Sequence, residues 1–119
     1  MLFPWLENVL VAKPVPSHKH ATHFWLNEGW TTYIERVLLQ VLHSPAERGF
    51  SYLIGFKSLQ DDLKDYRTRP KYQRLVIEFD VGEDPDDAYS RIPYEKGSNF
   101  LYYLGMLFYY YLYFYITSY

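Results

Sequence analysis

The sequence contains no cysteine, so its 119 residues can form neither a disulfide framework nor a thiolate zinc site. A cysteine-free chain fits a reducing compartment, and we expect a cytoplasmic protein. The formal net charge is only −2, which gives no basic surface for nucleic acid, so no nucleic-acid partner is expected. The apolar start has no basic region and is broken by Pro4 and Glu7, so it does not predict a signal peptide.

Charged residues are also missing from the end of the chain. Residues 101–119 contain no Asp, Glu, Lys or Arg, and a run of this length could span a bilayer. Tyrosine is abundant in the run, however, and tyrosine prefers the membrane interface to the hydrocarbon core. We therefore expect no membrane partner and predict that residues 105–119 form an atypical aromatic tail with no specified fold. A transmembrane helix stays open as the alternative.

What the sequence does have is helical periodicity, and it predicts a mainly α fold with three helices. The first covers residues 24–43. The second follows Ser44-Pro45-Ala46-Glu47, a predicted capping box, and runs to about Tyr66. The third covers about residues 93–104. Residues 75–79 are β-prone and predict either a strand or an extended segment. The apolar side of the second helix is predicted to comprise Phe50, Leu53, Ile54, Leu59 and Leu63, and the aromatic residues Phe24, Trp25 and Trp30 are expected in the core.

Two carboxylates share one face of the first predicted helix. On a helical wheel Glu28 and Glu35 nearly coincide, and they lie about 10 Å apart along the axis. Trp30, Tyr33 and Val37 fall on the opposite side and form an apolar stripe. We expect this stripe to pack on the third helix. Such a helix can be a surface helix, or it can form the floor of a metal site.

Three stretches of the sequence resemble one enzyme family. They are residues 25–29, Trp-Leu-Asn-Glu-Gly, residues 84–97, which contain Ser-Arg-Ile-Pro-Tyr-Glu-Lys-Gly, and residues 49–55 between them. Together they resemble the gluzincin zinc aminopeptidases, especially the fungal members of the leukotriene hydrolase/aminopeptidase branch. The resemblance covers about residues 23–104. It implies the helical part of a thermolysin-like catalytic domain, preceded by a poorly specified segment, residues 1–22, and followed by the aromatic tail.

The resemblance also implies roles for individual residues. Glu28 corresponds to the carboxylate that binds zinc, and Glu35 to an acidic residue that orients a ligand histidine. Tyr94 corresponds to the catalytic tyrosine whose hydroxyl stabilises the oxyanion of the tetrahedral intermediate. Tyr89 and Asp87 correspond to substrate-cleft residues, the second of them used by family members in epoxide hydrolysis. The implied cofactor is zinc, and the implied partner is a peptide substrate.

The family's HExxH motif is absent from the whole sequence. Counted back from Glu28, its two histidines would fall where this chain has Trp5 and Val9, and its general base where there is Leu6. The Gly-x-Met-Glu-Asn motif that holds the substrate's amine is also absent. The chain is therefore expected to be an interior fragment of the catalytic domain with foreign ends, as a truncated gene model would give.

A substitute zinc site can be assembled from the histidines just before Glu28. His18, His20 and His23 lie close together in the sequence, but their spacing matches no member of the clan. A solvated basic linker is the simpler interpretation of this cluster.

Two functions follow from the sequence. The first is a fragment of a zinc metallo-aminopeptidase, inactive as this isolated chain because the base and two metal ligands are missing. The alternative is a non-enzymatic remnant or helical interaction segment, associated with membranes through residues 101–119.

Overall fold

The computed structural model describes residues 22–118 and shows a mainly α fold. Three α-helices make up the structure: α1 covers Phe24–Leu42, α2 Pro45–Asp65 and α3 Ile92–Thr117. Between α2 and α3 the chain forms three short 3-10 helices, Tyr66–Thr68, Pro70–Gln73 and Pro85–Ala88. The β-prone residues 75–79 form bends and irregular backbone, so the strand alternative is wrong. No strand occurs anywhere between residues 22 and 118.

The corner between α1 and α2 follows the predicted cap. The Ser44 hydroxyl accepts a hydrogen bond from the Glu47 backbone N–H at 3.2 Å, and Pro45 occupies the first helical position. The Ser44 backbone N–H donates at 3.2 Å to the Leu39 carbonyl, near the end of α1. Ser44 alone therefore makes hydrogen bonds both to the end of α1 and to the start of α2.

The contact between α1 and α3 is the largest in the fold, but its buried face is not the predicted one. The buried residues of α1 are Gly29, Thr32 and Arg36, whereas Trp30 remains 42% exposed. On α3 the expected partner Phe100 is 41% exposed. The predicted core position of Trp30 is therefore wrong, because the face of α1 that is buried runs through Gly29, Thr32 and Arg36 and leaves Trp30 outside it.

The third helix is much longer than predicted. It continues through the aromatic run to Thr117, so the prediction that residues 105–119 lack a specified fold is wrong for its described part. No proline follows Pro93, so nothing interrupts the helical hydrogen bonds once the helix has begun. Within residues 22–118 no helix combines the length and apolarity needed to cross a membrane.

A small second cluster supports the segment that leads into α3. Tyr72, Ile77 and Ala88 are buried together, with Tyr66 and Phe79 packed against them. Ala88 ends the 3-10 helix Pro85–Ala88, so burial of its methyl group fixes this helix against the chain that follows α2.

An ionic network closes the loop beside this cluster. The Lys71 ammonium contacts the carboxylates of Asp80 at 3.0 Å and Glu83 at 2.6 Å. Glu83 also accepts the Tyr72 hydroxyl and, at 2.8 Å, the Asp80 backbone N–H. Gly82 takes a positive φ of 88°, which lets the chain turn back between Asp80 and Glu83. Hydrogen bonds from Lys71 and Tyr72 lower the pKa of Glu83 to about 2.

Candidate active site

The acidic residue of the first motif and the tyrosine of the second meet in space. Glu28 lies in the second turn of α1 and Tyr94 in the first turn of α3, and the Tyr94 hydroxyl lies close enough to the Glu28 carboxylate to influence its pKa. Phe24 contacts the Tyr94 ring edge-to-face at 6.1 Å, and the Arg91 guanidinium lies 5.6 Å from its centroid. The tyrosine ring is thus held by neighbours from both helices.

Two glycines set the distance between the helices that carry this pair. Gly29 follows Glu28, and Gly97 lies three residues after Tyr94. A Cβ atom on Gly29 would lie 2.9 Å from the Gly97 carbonyl carbon, and one on Gly97 would lie 3.0 Å from the Gly29 Cα and the Trp25 carbonyl oxygen. The contact at Gly29 is shorter than real Cβ atoms make, and the contacts at Gly97 are tighter than nine in ten real Cβ contacts. Only glycine at both positions lets the two backbones touch, which brings Glu28 within reach of Tyr94.

The partial burial of the pair changes the acidity of both groups. Burial raises the pKa of the Glu28 carboxyl, and the hydrogen bond from Tyr94 opposes that rise. Burial also raises the pKa of the Tyr94 phenol, and the negative charge of Glu28 and the contact with Tyr89 raise it further. Tyr94 therefore keeps its proton well above neutral pH and acts as a hydrogen-bond donor.

Tyr89 and Asp87 approach the pair from the segment before α3. The Tyr89 side chain lies close enough to Tyr94 to raise its pKa, although 72% of Tyr89 is exposed. Asp87, within the 3-10 helix Pro85–Ala88, is also exposed. The Asp84 side chain caps this 3-10 helix by accepting the Asp86 backbone N–H at 3.0 Å. Tyr89 thus lies beside Tyr94, and Asp87 lies two residues earlier on the capped turn.

Glu35 occupies a different position from Glu28. It is exposed and lines a cavity of about 400 Å³ together with Thr31, Arg91 and Tyr94. Tyr94 therefore lies between the Glu28 carboxylate and the cavity that Glu35 borders. Glu35 and Tyr94 line this cavity, whereas Glu28 and Tyr89 are not among its lining residues, and the chemical roles of all four stay predictions.

The sequence analysis missed a buried ion pair behind the site. Arg36 and Glu95 pair at 2.7 Å, with 7% and 5% of their side chains exposed. Arg36 also donates to the Ser51 carbonyl at 3.2 Å and to the Ser98 hydroxyl at 3.5 Å, so it joins all three helices. Gly55 of α2 provides the space, because a Cβ there would lie 2.1 Å from Glu95 Oε2. The sequence signal for this pair is that residues of opposite charge, Arg36 and Glu95, directly follow Glu35 and Tyr94.

The described residues do not fit a zinc ion by themselves. Among residues 22–118, no three His, Cys, Asp or Glu side chains are grouped so that they could hold a metal. Glu28 supplies one carboxylate, whereas a catalytic zinc needs three protein ligands. The predicted substitute ligands His18 and His20, like the positions that replace the HExxH motif, lie outside the described part of the chain.

The structure thus brings an acidic side chain of α1 and a phenol of α3 together beside a cavity. Residues 16–109 match the Peptidase family M1 domain, and the chain belongs to that family. The resemblance drawn from the three sequence stretches is therefore confirmed.

Named relatives and solved structures agree with this membership. The chain is 51% identical over 85 residues to a leukotriene A-4 hydrolase homolog from Botryotinia fuckeliana, covering 71% of this chain and 13% of that protein. It is 53% identical over 85 residues to leucine aminopeptidase 2 from Emericella nidulans, covering 71% of this chain and 14% of the relative. The structure of yeast LTA4 hydrolase in complex with bestatin superposes with a TM-score of 0.69 at 43% identity, over 72% of this chain and 14% of the yeast chain. The chain thus spans about one seventh of the length of these proteins.

Proposed function

We propose that this chain is the part of an M1 aminopeptidase catalytic domain that supplies the zinc-binding carboxylate and the oxyanion-stabilising phenol. Glu28 is the metal-ligand position and Tyr94 the hydrogen-bond donor to the reacting carbonyl. Tyr89 and Asp87 contact the substrate, and Glu35 orients a neighbouring ligand histidine. The substrates are peptides cleaved from their N-terminus, and epoxide hydrolysis is a second activity in which Asp87 would take part.

One observation carries the proposal. Tyr94 and Glu28 lie together although they are 66 positions apart in the sequence, and the close contact of Gly29 with Gly97 lets their helices approach. A phenol that stays protonated above neutral pH suits a donor aimed at a developing oxyanion. In peptidases, such a donor is useful only beside the group that polarises the same carbonyl.

The isolated chain is proposed to be inactive. Its 119 residues contain no HExxH motif, so the family's general base and two of its metal ligands are not supplied by this sequence. We therefore assign no catalytic step to this chain alone and expect no turnover of an aminoacyl anilide. Cytoplasmic location, zinc and epoxide hydrolysis remain proposals for the protein of which this sequence forms part.

The proposal can be tested by a replacement experiment. Residues 23–104 would replace the corresponding segment of a leucine aminopeptidase 2 relative, which supplies the missing motif. We expect the hybrid to hydrolyse an aminoacyl anilide, Tyr94→Phe to lower kcat with zinc retained, and Glu28→Gln to lose zinc. Tyr102→Phe is the matched control, because it removes a hydroxyl from the same helix away from the site. A folded, zinc-loaded hybrid whose kcat is unaffected by Tyr94→Phe would contradict the proposal.

A further inference from the structure

A single hydroxyl group is hydrogen-bonded to the turn that carries Asp87 and Tyr89. The Tyr66 hydroxyl, at the C-terminal end of α2, lies 3.0 Å from the Asp87 carbonyl oxygen and 3.2 Å from the Tyr89 carbonyl oxygen. One O–H thus donates to two carbonyls that flank Ala88. These two contacts span 21 and 23 residues of sequence and tie the end of α2 to the approach to α3.

These hydrogen bonds matter because the side chains of Asp87 and Tyr89 are little packed against the rest of the fold. Tyr89 is 72% exposed, and Asp87 is exposed as well. An exposed side chain takes its direction from its backbone, so the orientation of the two carbonyls decides where Asp87 and Tyr89 point. Ala88 packs the turn against Tyr72 and Ile77. Packing of one methyl group holds the turn in place but does not fix the orientation of the neighbouring carbonyls.

The next residues of the chain are tethered to α2 as well. The Arg91 backbone N–H donates to the Asp62 carboxylate at 2.5 Å, one helical turn before Tyr66. The Ser90 hydroxyl accepts the Ile92 backbone N–H at 3.2 Å. The final turn of α2 therefore holds residues 87–91 at several points, and within residues 22–118 it is the Tyr66 hydroxyl that donates to the carbonyls of Asp87 and Tyr89.

We propose that Tyr66 is a positioning residue for the substrate cleft, acting through its hydroxyl on the backbone that directs Asp87 and Tyr89. It does not touch the reacting atoms. The cleft assignment rests on the proposed function, whereas the hydrogen bonds from Tyr66 to residues 87 and 89 belong to this chain and can be tested without any activity.

The chain provides a matched control for this idea. Tyr72 packs edge-to-face on Tyr66 with ring centroids 5.7 Å apart, and its hydroxyl also makes a hydrogen bond, but to Glu83 in the neighbouring loop. Tyr66→Phe and Tyr72→Phe each remove one hydroxyl and keep the aromatic pair. Only the first removes the contacts to the Asp87 and Tyr89 carbonyls.

The test uses the full 119-residue chain labelled with ¹³C at the tyrosine rings. We expect Tyr66→Phe to shift the Tyr89 and Tyr94 ring resonances while the circular dichroism stays helical, and Tyr72→Phe to leave both resonances in place. Equal effects of the two variants, no shift with Tyr66→Phe, or loss of helical structure with Tyr66→Phe would each overturn the proposal.

The hybrid enzyme gives a second readout. In the hybrid, Tyr66→Phe should raise KM about fivefold and leave kcat nearly unchanged, because a fivefold change corresponds to the net contribution of roughly one hydrogen bond. Tyr72→Phe should change neither KM nor kcat. An unchanged KM would overturn the positioning role. If the unmutated hybrid is inactive, the proposed function fails, and the ring resonances of the full chain still decide the role of Tyr66.

Discussion

Gly29 and Gly97 touch where α1 crosses α3, and this contact explains why the first and second motifs form one site. We predict that Gly29→Ala destabilises the fold by about 1–3 kcal/mol, since the new methyl group would meet the Gly97 backbone, which cannot move aside. The measurement is urea unfolding followed by circular dichroism. Gly49→Ala is the control, because nothing lies within 4 Å of a Cβ there, and it should stabilise α2 by up to about 1 kcal/mol. Equal effects at the two glycines would contradict the account.

The buried ion pair gives the second prediction. Glu95→Leu or Arg36→Met alone leaves one charged group buried without its partner, so each should cost about 3–5 kcal/mol of stability. The double variant Arg36→Met with Glu95→Leu should recover much of that loss, because no unpaired charge remains. Asp61→Asn is the control, since Asp61 and Lys64 form an exposed pair on α2. A double variant as unstable as the sum of the two single changes would refute this prediction.

Two carboxylates should respond to pH with opposite signs. The pKa of Glu28 is raised in the fold, so its stabilising contribution is complete below its ordinary value of 4.5 and is lost as the pH rises through the raised value. Glu28→Gln should therefore gain stability relative to the unmutated chain between acidic and neutral pH. The pKa of Glu83 is lowered to about 2, so its contribution is present above 4.5 and lost as the pH falls through about 2.

The corresponding measurement is the free energy of unfolding against pH for the unmutated chain, Glu28→Gln and Glu83→Gln. The disadvantage of Glu83→Gln should vanish in acid, whereas the advantage of Glu28→Gln should appear toward neutral pH. Parallel curves for all three proteins would show that neither carboxylate has a shifted pKa.

The exposed aromatic residues of α3 predict self-association. Phe108 and Tyr111 are among many large apolar side chains left uncovered on the outer half of the helix, and patches of this kind drive association. Phe50, Leu53 and Ile54, predicted on the apolar side of α2, are exposed too. Sedimentation velocity should show concentration-dependent oligomers, reduced in the double variant Phe108→Glu, Tyr111→Glu.

Val81→Glu controls for charge in this experiment, because Val81 is fully exposed in an isolated turn away from the aromatic helix. That variant should associate like the unmutated chain. A chain that sediments as a monomer at every concentration would contradict the prediction.

How far the sequence predicts this structure differs from element to element. The limits of α1 and α2 were predictable from periodicity and the Ser44 cap, because these signals are local. The buried face of α1 was not predictable from apolarity, because the helices meet through Gly29, and Arg36 is buried by a partner 59 residues away. The course of α3 beyond residue 104 was missed because a charge-free aromatic run has no alternation of apolar and polar residues that would indicate a helix.

The candidate site was predictable only where a family motif stood in the sequence. Glu28, Tyr89 and Tyr94 follow from the motifs, and their approach was expected from packing of α1 on α3. Tyr66 carries no motif, and its contact to the turn 21–23 residues away depends on the tertiary path of the chain between α2 and α3. Long-range hydrogen bonds of this kind leave no periodic trace in a sequence.

The pairing of Glu28 with Tyr94 is the central claim, and an NMR pH titration of the Tyr94 ring tests it most directly. Because the charge of Glu28 contributes to the raised pKa of Tyr94, Glu28→Gln should lower that pKa. Glu35→Gln is the control and should leave it unchanged. A Tyr94 that titrates alike in the unmutated chain and in Glu28→Gln would show that the two residues do not share a site.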